Sequence, residues 1–406
     1  MSKILKLFDN NIGQSGNNRN YLITAAIQVN AFLIPISSFA SIRMLILTLV
    51  ALQLMSFSSG KTLRNGWDIF AYLTLLLLGL TYTQDMKSAI KVLETSFSMI
   101  AIPFIIAKVP EMNSTKRDAI FDWFTYGVLI TSLICLVHAL LRFLQTGSLD
   151  SFFYYNLTEF LNFQPTYFAY YLIFSVSYIF YQIFYGTRTH IVYVIIFLIL
   201  FVTLILTGGQ TAFICLLLAF AFFLLKFITD ESSRSRGAFL HMTIYFVCLV
   251  IMLVSTLLLD DKLYQVDSWE RFELWRAGLM ATTNPIFGVG TGDTTSALNA
   301  YYYSSGLNLY AAENYNSHNQ YIQLYLANGV AGLLVVLILV FRPIYVAYIN
   351  KDVFGILFLF PFIIYGVTEV FLGRYQGIVF FTFLHQILVH YYYSLNSSIV
   401  LLEKKS

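Results

Sequence analysis

Apolar residues along this chain come in long uninterrupted runs, and polar residues are confined mostly to the short breaks between them. Strict alternation would predict half-buried strands, and a narrow stripe at helical spacing would predict a surface helix. Continuous runs of about 20 apolar residues match the thickness of a bilayer's hydrocarbon core. Backbone amides have no water to bond there, so each run must close its hydrogen bonds internally as a helix. Twelve runs qualify, at 20–37, 42–58, 67–83, 89–107, 121–144, 166–184, 190–207, 211–228, 242–259, 325–345, 353–371 and 376–394. The predicted fold class is an all-α polytopic membrane protein of about twelve transmembrane helices.

Composition agrees, with 58% hydrophobic and 11% charged residues and a mean hydropathy of +0.72. A soluble domain carries far more charge. No solenoid-type repeat or low-complexity tract is present, and the chain reads as one integrated membrane unit. The net charge of +3 gives no reason to expect a nucleic-acid partner. Cys135, Cys215 and Cys248 sit in apolar runs, where a thiol behaves as a small hydrophobic residue. The first nineteen residues are polar and predict a cytoplasmic tail with no cleaved signal.

Charge distribution orients the helices. With both termini cytoplasmic, sixteen of the 24 basic residues fall on the cytoplasmic side, as the positive-inside rule expects. The other eight are Arg43, Lys87, Lys91, Arg142, Lys262, Arg271, Arg276 and Arg374. Three of these lie in one polar stretch, residues 260–324, read as the single long outer excursion. The expected organisation is therefore helices one to nine in 1–259, a periplasmic catalytic loop in 260–324, and the last three helices with a short tail in 325–406. Within the loop, Asp267 followed by Glu270 resembles a helix N-cap signature. Phe272, Trp275 and Leu279 then recur at helical spacing up to Asn284-Pro285, predicting a short interfacial helix anchored by Trp269 and Trp275 with Arg271 toward the membrane surface. The run Pro285 to Asp293 holds three glycines in five residues, where backbone can approach a ligand closely.

Several separated motifs then carry a resemblance: Arg271-Phe272-Glu273-Leu274-Trp275; Asn284 to Asp293; Ser317-His318-Asn319-Gln320-Tyr321-Ile322-Gln323; and Asn328-Gly329-Val330-Ala331-Gly332-Leu333. Further pieces are Leu93-Glu94 through Pro103-Phe104, Pro165-Thr166-Tyr167, and Thr368-Glu369-Val370-Phe371-Leu372-Gly373-Arg374 with Gln376-Gly377. In order and spacing they resemble the O-antigen ligase and polymerase superfamily of membrane glycosyltransferases, over about three quarters of the chain.

The resemblance implies a GT-C-type fold in the bacterial inner membrane and a glycan leaving undecaprenyl diphosphate for an acceptor hydroxyl. It implies neither nucleotide sugar, metal nor other cofactor, and inversion at the anomeric carbon. The implied partners are the undecaprenyl-diphosphate-linked glycan, a lipid A–core or growing-glycan acceptor, and membrane lipids. Guanidinium groups suit charge developing on a diphosphate, and Arg271 takes that role. Imidazole suits a base near neutral pH, and His318 takes that one. Arg276, Gln210, Glu369, Arg374, Asn319, Gly290 and Asp293 are candidate substrate-binding residues.

Two departures from the family pattern stand out. Gln210 occupies a position where relatives commonly carry Arg, which leaves Arg276 or Arg374 to supply a second cation, and Gln164 stands where relatives often have His. Glu369, a carboxylate near the end of an apolar run, is expected to be paired, either with Arg374 or directly with substrate. His138, His190, His241, His385 and His390 are read as loop or helix-end residues. Tyr301, Tyr302, Tyr303, Tyr310 and Tyr315 can stack on sugar rings. Ligation is favoured over polymerisation because only one large outer loop is predicted, and both over lipid-linked glycan transport because the basic residues of interest gather at the outer face.

Overall fold

The computed structural model describes residues 15–53, 59–109, 112–185, 191–229, 236–258 and 268–403. These form helices and no strand. In chain order they are α1 (Ser15–Leu33), α2 (Ser38–Gln53), α3 (Ser59–Gly79), α4 (Met86–Thr95), α5 (Ser98–Ile106), α6 (Ser114–Thr146), α7 (Tyr154–Thr158), α8 (Pro165–Tyr185), α9 (Ile191–Leu206), α10 (Gln210–Thr229), α11 (Arg236–Leu258), α12 (Ser268–Met280), α13 (Thr294–Ser304), α14 (Asn308–Ala312), α15 (Gln320–Ile349), α16 (Val353–Thr368) and α17 (Tyr375–Glu403), with short 3-10 turns at Leu149–Phe152, Glu159–Leu161 and Phe371–Gly373.

Each of the twelve apolar runs is mostly helix within the described residues. Four stretches, Met86–Ile106, Ser114–Thr146, Gln320–Ile349 and Tyr375–Leu395, are long and apolar enough to cross a membrane. The other apolar helices are shorter within the described residues, so the protein is a helical membrane protein and twelve crossings remain a proposal. Most of the polar tail before α1 lies outside the described residues, as do the N-cap expectation at Asp267 and the reading of His190. Nothing is described of the side chains of Trp269 and His241.

Local signals set several boundaries. Asn113 caps α6 through a bond from Lys116 N to its Oδ1 at 2.9 Å, and Gly147, with φ 69°, ends it in the left-handed conformation that a residue without Cβ adopts freely. The predicted fourth helix is broken in two, α4 and α5, at Ser96. The predicted eleventh stops three residues early, because Glu369 is extended and a 3-10 turn follows.

Helix α8 is apolar and aromatic all round and is buried nearly throughout, which makes it a central helix. Its Tyr170, Tyr171 and Phe174 meet Phe121 and Phe124 of α6, Phe358, Phe362 and Tyr365 of α16 and Phe380 of α17 in one ring cluster. On the outside, Leu198, Val202, Leu217, Val250 and Ile251 are exposed on α9, α10 and α11. A continuous apolar surface of that kind is what lipid covers.

Away from these outward faces the bundle buries charge. Asp68 of α3 accepts from Arg342 Nη1 of α15 at 2.6 Å and pairs with His385 Nε2 of α17 at 2.7 Å. His385 Nδ1 lies 3.0 Å from Gln386 Nε2, while His390 bonds Asn65 and the Val109 carbonyl. His385 and His390 are thus internal network residues, which corrects their reading as helix-end or loop groups.

Candidate active site

Five helix ends gather at one place: the start of α8, the turn between α9 and α10, the start of α12, the residues before α15, and the turn between α16 and α17. They enclose a cavity of about 320 Å³ whose walls include Arg271, His318, Gln210, Glu369 and Arg374. These five come from positions spread over more than 160 residues of the chain. Arg276, Asn319, Gly290 and Asp293 are not among the residues that line it.

His318 is held by its backbone. It has φ 44°, a left-handed conformation that costs a non-glycine residue energy and is kept where surrounding contacts impose it. Those contacts are a bond from its N–H to Asn316 Oδ1 at 2.8 Å and one from Trp275 Nε1 to its carbonyl at 3.4 Å. On one side, Ser317 Oγ donates to Gln323 Oε1 at 2.9 Å. On the other, Asn319 caps α15 by accepting from Tyr321 N and Ile322 N, both at 3.0 Å, and its Nδ2 donates to the Val367 carbonyl. Asn319 therefore fixes where His318 stands and ties α15 to the end of α16. Trp275, expected at headgroup depth, is turned to the His318 carbonyl, while Phe272 and Leu279 of the same helix are exposed.

His318 Nδ1 lies 3.7 Å from Glu369 Oε2, with the carboxylate nearly buried and the ring partly open. Glu369 makes no ion pair with Arg374 among the described residues and stands beside His318 instead; a direct role with substrate, the other alternative weighed from sequence, is a proposal. The turn carrying Glu369 and Arg374 is pinned from three sides. Tyr167 OH donates to the Val370 carbonyl at 3.0 Å, Tyr171 OH to the Gln376 carbonyl at 2.8 Å, and Leu372 N to Gln320 Oε1 at 2.7 Å. Opposite, Thr211 and Thr368 hydroxyls meet at 3.0 Å and join the start of α10 to the end of α16.

Arg271 and Arg374 line the cavity with no carboxylate partner among the described residues. Guanidinium groups in a polar cavity can bind anionic oxygens, and the carboxylates of Glu369 and Glu313 share the same wall. Arg276, the other candidate for a second cation, is exposed and outside this lining.

The glycine-rich run has a different geometry from the ligand approach its composition suggested. Val289 N and Gly290 N donate to the Leu326 and Ala327 carbonyls, each at 2.9 Å. These carbonyls belong to α15 where Asn328 and Gly329 kink it, so the run replaces the helix's own donors. Gly288 and Gly329 permit the contact: both have positive φ, and a Cβ on Gly288 would stand 2.5 Å from Ala327 while one on Gly329 would collide with the Ile286 carbonyl. Asp293 binds the loop after α3, accepting from Gln84 N and Asp85 N at 2.7 Å and from Thr83 Oγ1 at 3.2 Å.

Sequence reasoning missed the residues between α6 and α8. Residues 148–164 form a second excursion on the cavity side, with Tyr154, Tyr155 and Gln164 in the cavity wall. Burial pushes the Tyr154 phenol up, Tyr155 and Glu369 adding and Arg271 opposing, so it stays a neutral hydroxyl. Its polar signals, Asp150, Asn156, Glu159 and Asn162 between two apolar runs, were available. Of the proposed stacking tyrosines, Tyr315 reaches the cavity, whereas Tyr302, fully buried, and Tyr310 form a small core with Leu274, Leu298 and Leu326 that makes residues 268–326 a folded cap.

With this geometry in place, residues 195–337 match the family model described as O-antigen ligase. This match over about a third of the chain supports the resemblance to the O-antigen ligase superfamily. No curated protein matches the chain. The matched segment runs from α9 into α15 and includes Gln210, Arg271 and His318; Glu369, Arg374 and the 148–164 excursion lie outside it.

Proposed function

We propose that the protein transfers a glycan from undecaprenyl diphosphate to an acceptor hydroxyl at the outer face of the bacterial inner membrane, with both termini cytoplasmic. The observation that carries this reading is the shared cavity of His318, backed by Glu369, with the two unpaired cations Arg271 and Arg374. The acceptor oxygen attacks the anomeric carbon as the bond from that carbon to the diphosphate oxygen breaks. The hydroxyl proton passes to His318, and Glu369 is the opposite charge beside the imidazolium that forms. The electron pair of the broken bond stays on the diphosphate, where Arg271 and Arg374 meet the charge that develops. Attack from the face opposite the leaving group inverts the anomeric configuration.

Ligation to lipid A–core is the first reading, in line with the description of the family model that residues 195–337 match. The 148–164 excursion takes away the preference that a single outer loop gave to ligation, so extension of lipid-linked chains stands as the second reading. The deciding experiment supplies undecaprenyl-diphosphate glycan and lipid A–core to the purified protein in detergent with chelator. Glycan joined to lipid A–core supports ligation, and lengthened lipid-linked glycan supports polymerisation. His318→Ala is expected to lower either by roughly 10²–10⁴-fold with an unchanged elution profile. Full activity in that variant removes His318 from the mechanism.

A further inference from the structure

A second cavity, of about 310 Å³, adjoins the first and is walled by Tyr155, Asn156, Glu159, Asn162, Phe163 and Gln164, with Arg374 at its edge. Tyr155, Gln164 and Arg374 belong to both cavities. Its size is within the range of small-molecule sites, about 300–1,000 Å³.

The wall chemistry narrows the occupant. Three side-chain amides offer paired donors and acceptors, and two aromatic rings offer flat apolar faces. The carboxylate of Glu159 is already neutralised by Arg142. A diphosphate would find a single guanidinium here and a carboxylate beside it. A prenyl chain would strand the amides without partners, which costs about 1–3 kcal/mol per group. A neutral ring bearing several hydroxyls satisfies both the amides and the rings. Gln164 Oε1 is buried without a hydrogen-bond partner in the protein, an acceptor capacity such a ring can use.

Among the described residues, five non-glycine residues have positive φ. Asn162 is the one in the wall of the second cavity, a residue type that adopts the left-handed region readily, while Tyr154, Asn314 and His318 lie in the wall of the first. The ion pair between Arg142 and Glu159 and the bond from Asn156 Nδ2 to the Asp150 carbonyl hold the excursion in this shape.

We propose that this second cavity is a saccharide subsite of the transfer reaction, binding one neutral sugar unit next to the cavity that holds His318, with Arg374 in the walls of both. The proposal rests on the transferase reading above and adds to it the ligand class of a segment outside the matched family region. The sugar unit comes either from the donor glycan or from the acceptor, and the two sources differ in which substrate's KM responds.

The test uses the full chain in detergent with Asn162→Gly, which keeps the left-handed backbone and removes the amide, and with Phe163→Leu, which removes a ring face that lines only the second cavity. Transfer is titrated against donor and acceptor separately, and saturation-transfer NMR follows binding of lipid-free glycan released from the host's own lipid-linked pool. A KM at least tenfold higher for one substrate with kcat nearly kept is expected, the substrate affected naming the source. Equal KM values for both substrates in both variants, with glycan binding unchanged, overturn the subsite. If the native protein transfers nothing yet binds the released glycan, and the variants lose that binding, the subsite stands and the transferase reading falls.

Discussion

Arg374 and Gln210 line one cavity, and in the proposed reaction they decide how an anionic leaving group is met. Gln210 can donate hydrogen bonds without offsetting charge, so that reading gives Arg374 the role of second cation beside Arg271. Arg374→Ala is expected to lower kcat/KM by about 10²–10³-fold. Adding Gln210→Arg to that variant is expected to recover at least about tenfold, equivalent to ~1.4 kcal/mol of barrier, because the new guanidinium enters the same space. Steady-state transfer kinetics of the single and double variants measure this, and a double variant no better than Arg374→Ala refutes it. Arg276→Ala, on an exposed side chain outside the cavity lining, serves as the contrast, with an expected change near 0.5 kcal/mol or less (~0.5 kcal/mol for ordinary surface sites). At this scale the motifs were legible because the chemistry needs particular side chains: a base, cations, a carboxylate. Asn319 and Asp293 were not separable from them by motif, since a capping amide and a loop-holding carboxylate occur in the same segments and only their partners tell them apart.

Helix α15 owes its position to its break. At Gly329 the backbone has φ 62° and ψ −152°, a region essentially restricted to glycine, and the donors of Val289 and Gly290 complete the carbonyls the kink leaves open. Gly329→Ala therefore combines strain with a collision against Ile286 and is expected to destabilise the protein by about 1–3 kcal/mol. It also shifts the N-terminal half of α15, which sets His318 through Asn319, so transfer should fall with stability. Thermal aggregation in detergent together with the transfer assay tests both, and a variant equal to the native protein in each would sink the account. The positions of the apolar helices were readable because hydrophobic runs report on burial directly. The kink at Asn328–Gly329 and the break at Ser96 were not, because each depends on what another segment places beside it; the 148–164 excursion had polar signals in the sequence, but its place at the cavity depends on the segments around it.

The molecule keeps two kinds of charge apart. Among the described residues Arg271 and Arg374 have no carboxylate partner at the cavity, whereas Asp68, Arg342 and His385 are matched within the helix bundle. Matched groups of that kind cost much to break: removing one partner destabilises by about 3–5 kcal/mol. Asp68→Ala strands Arg342 and His385 and is expected to lose about that much stability, read as a lower midpoint in detergent thermal unfolding, with the KM values of whatever protein stays folded unchanged. A shift in donor KM would instead connect the network to the cavity.

The proposed orientation puts the chain reversal at Lys351, exposed between α15 and α16, on the cytoplasmic side, and the cap, with Tyr303 exposed on α13, on the outer side. The three native cysteines are buried, so a membrane-impermeant maleimide has little background in whole cells. With outer-membrane permeability raised, Tyr303→Cys is expected to be labelled in intact cells and Lys351→Cys only after lysis. The reverse pattern would put the cavity on the cytoplasmic side, where nucleotide-linked donors are available and a lipid diphosphate would no longer be required as the glycan's carrier.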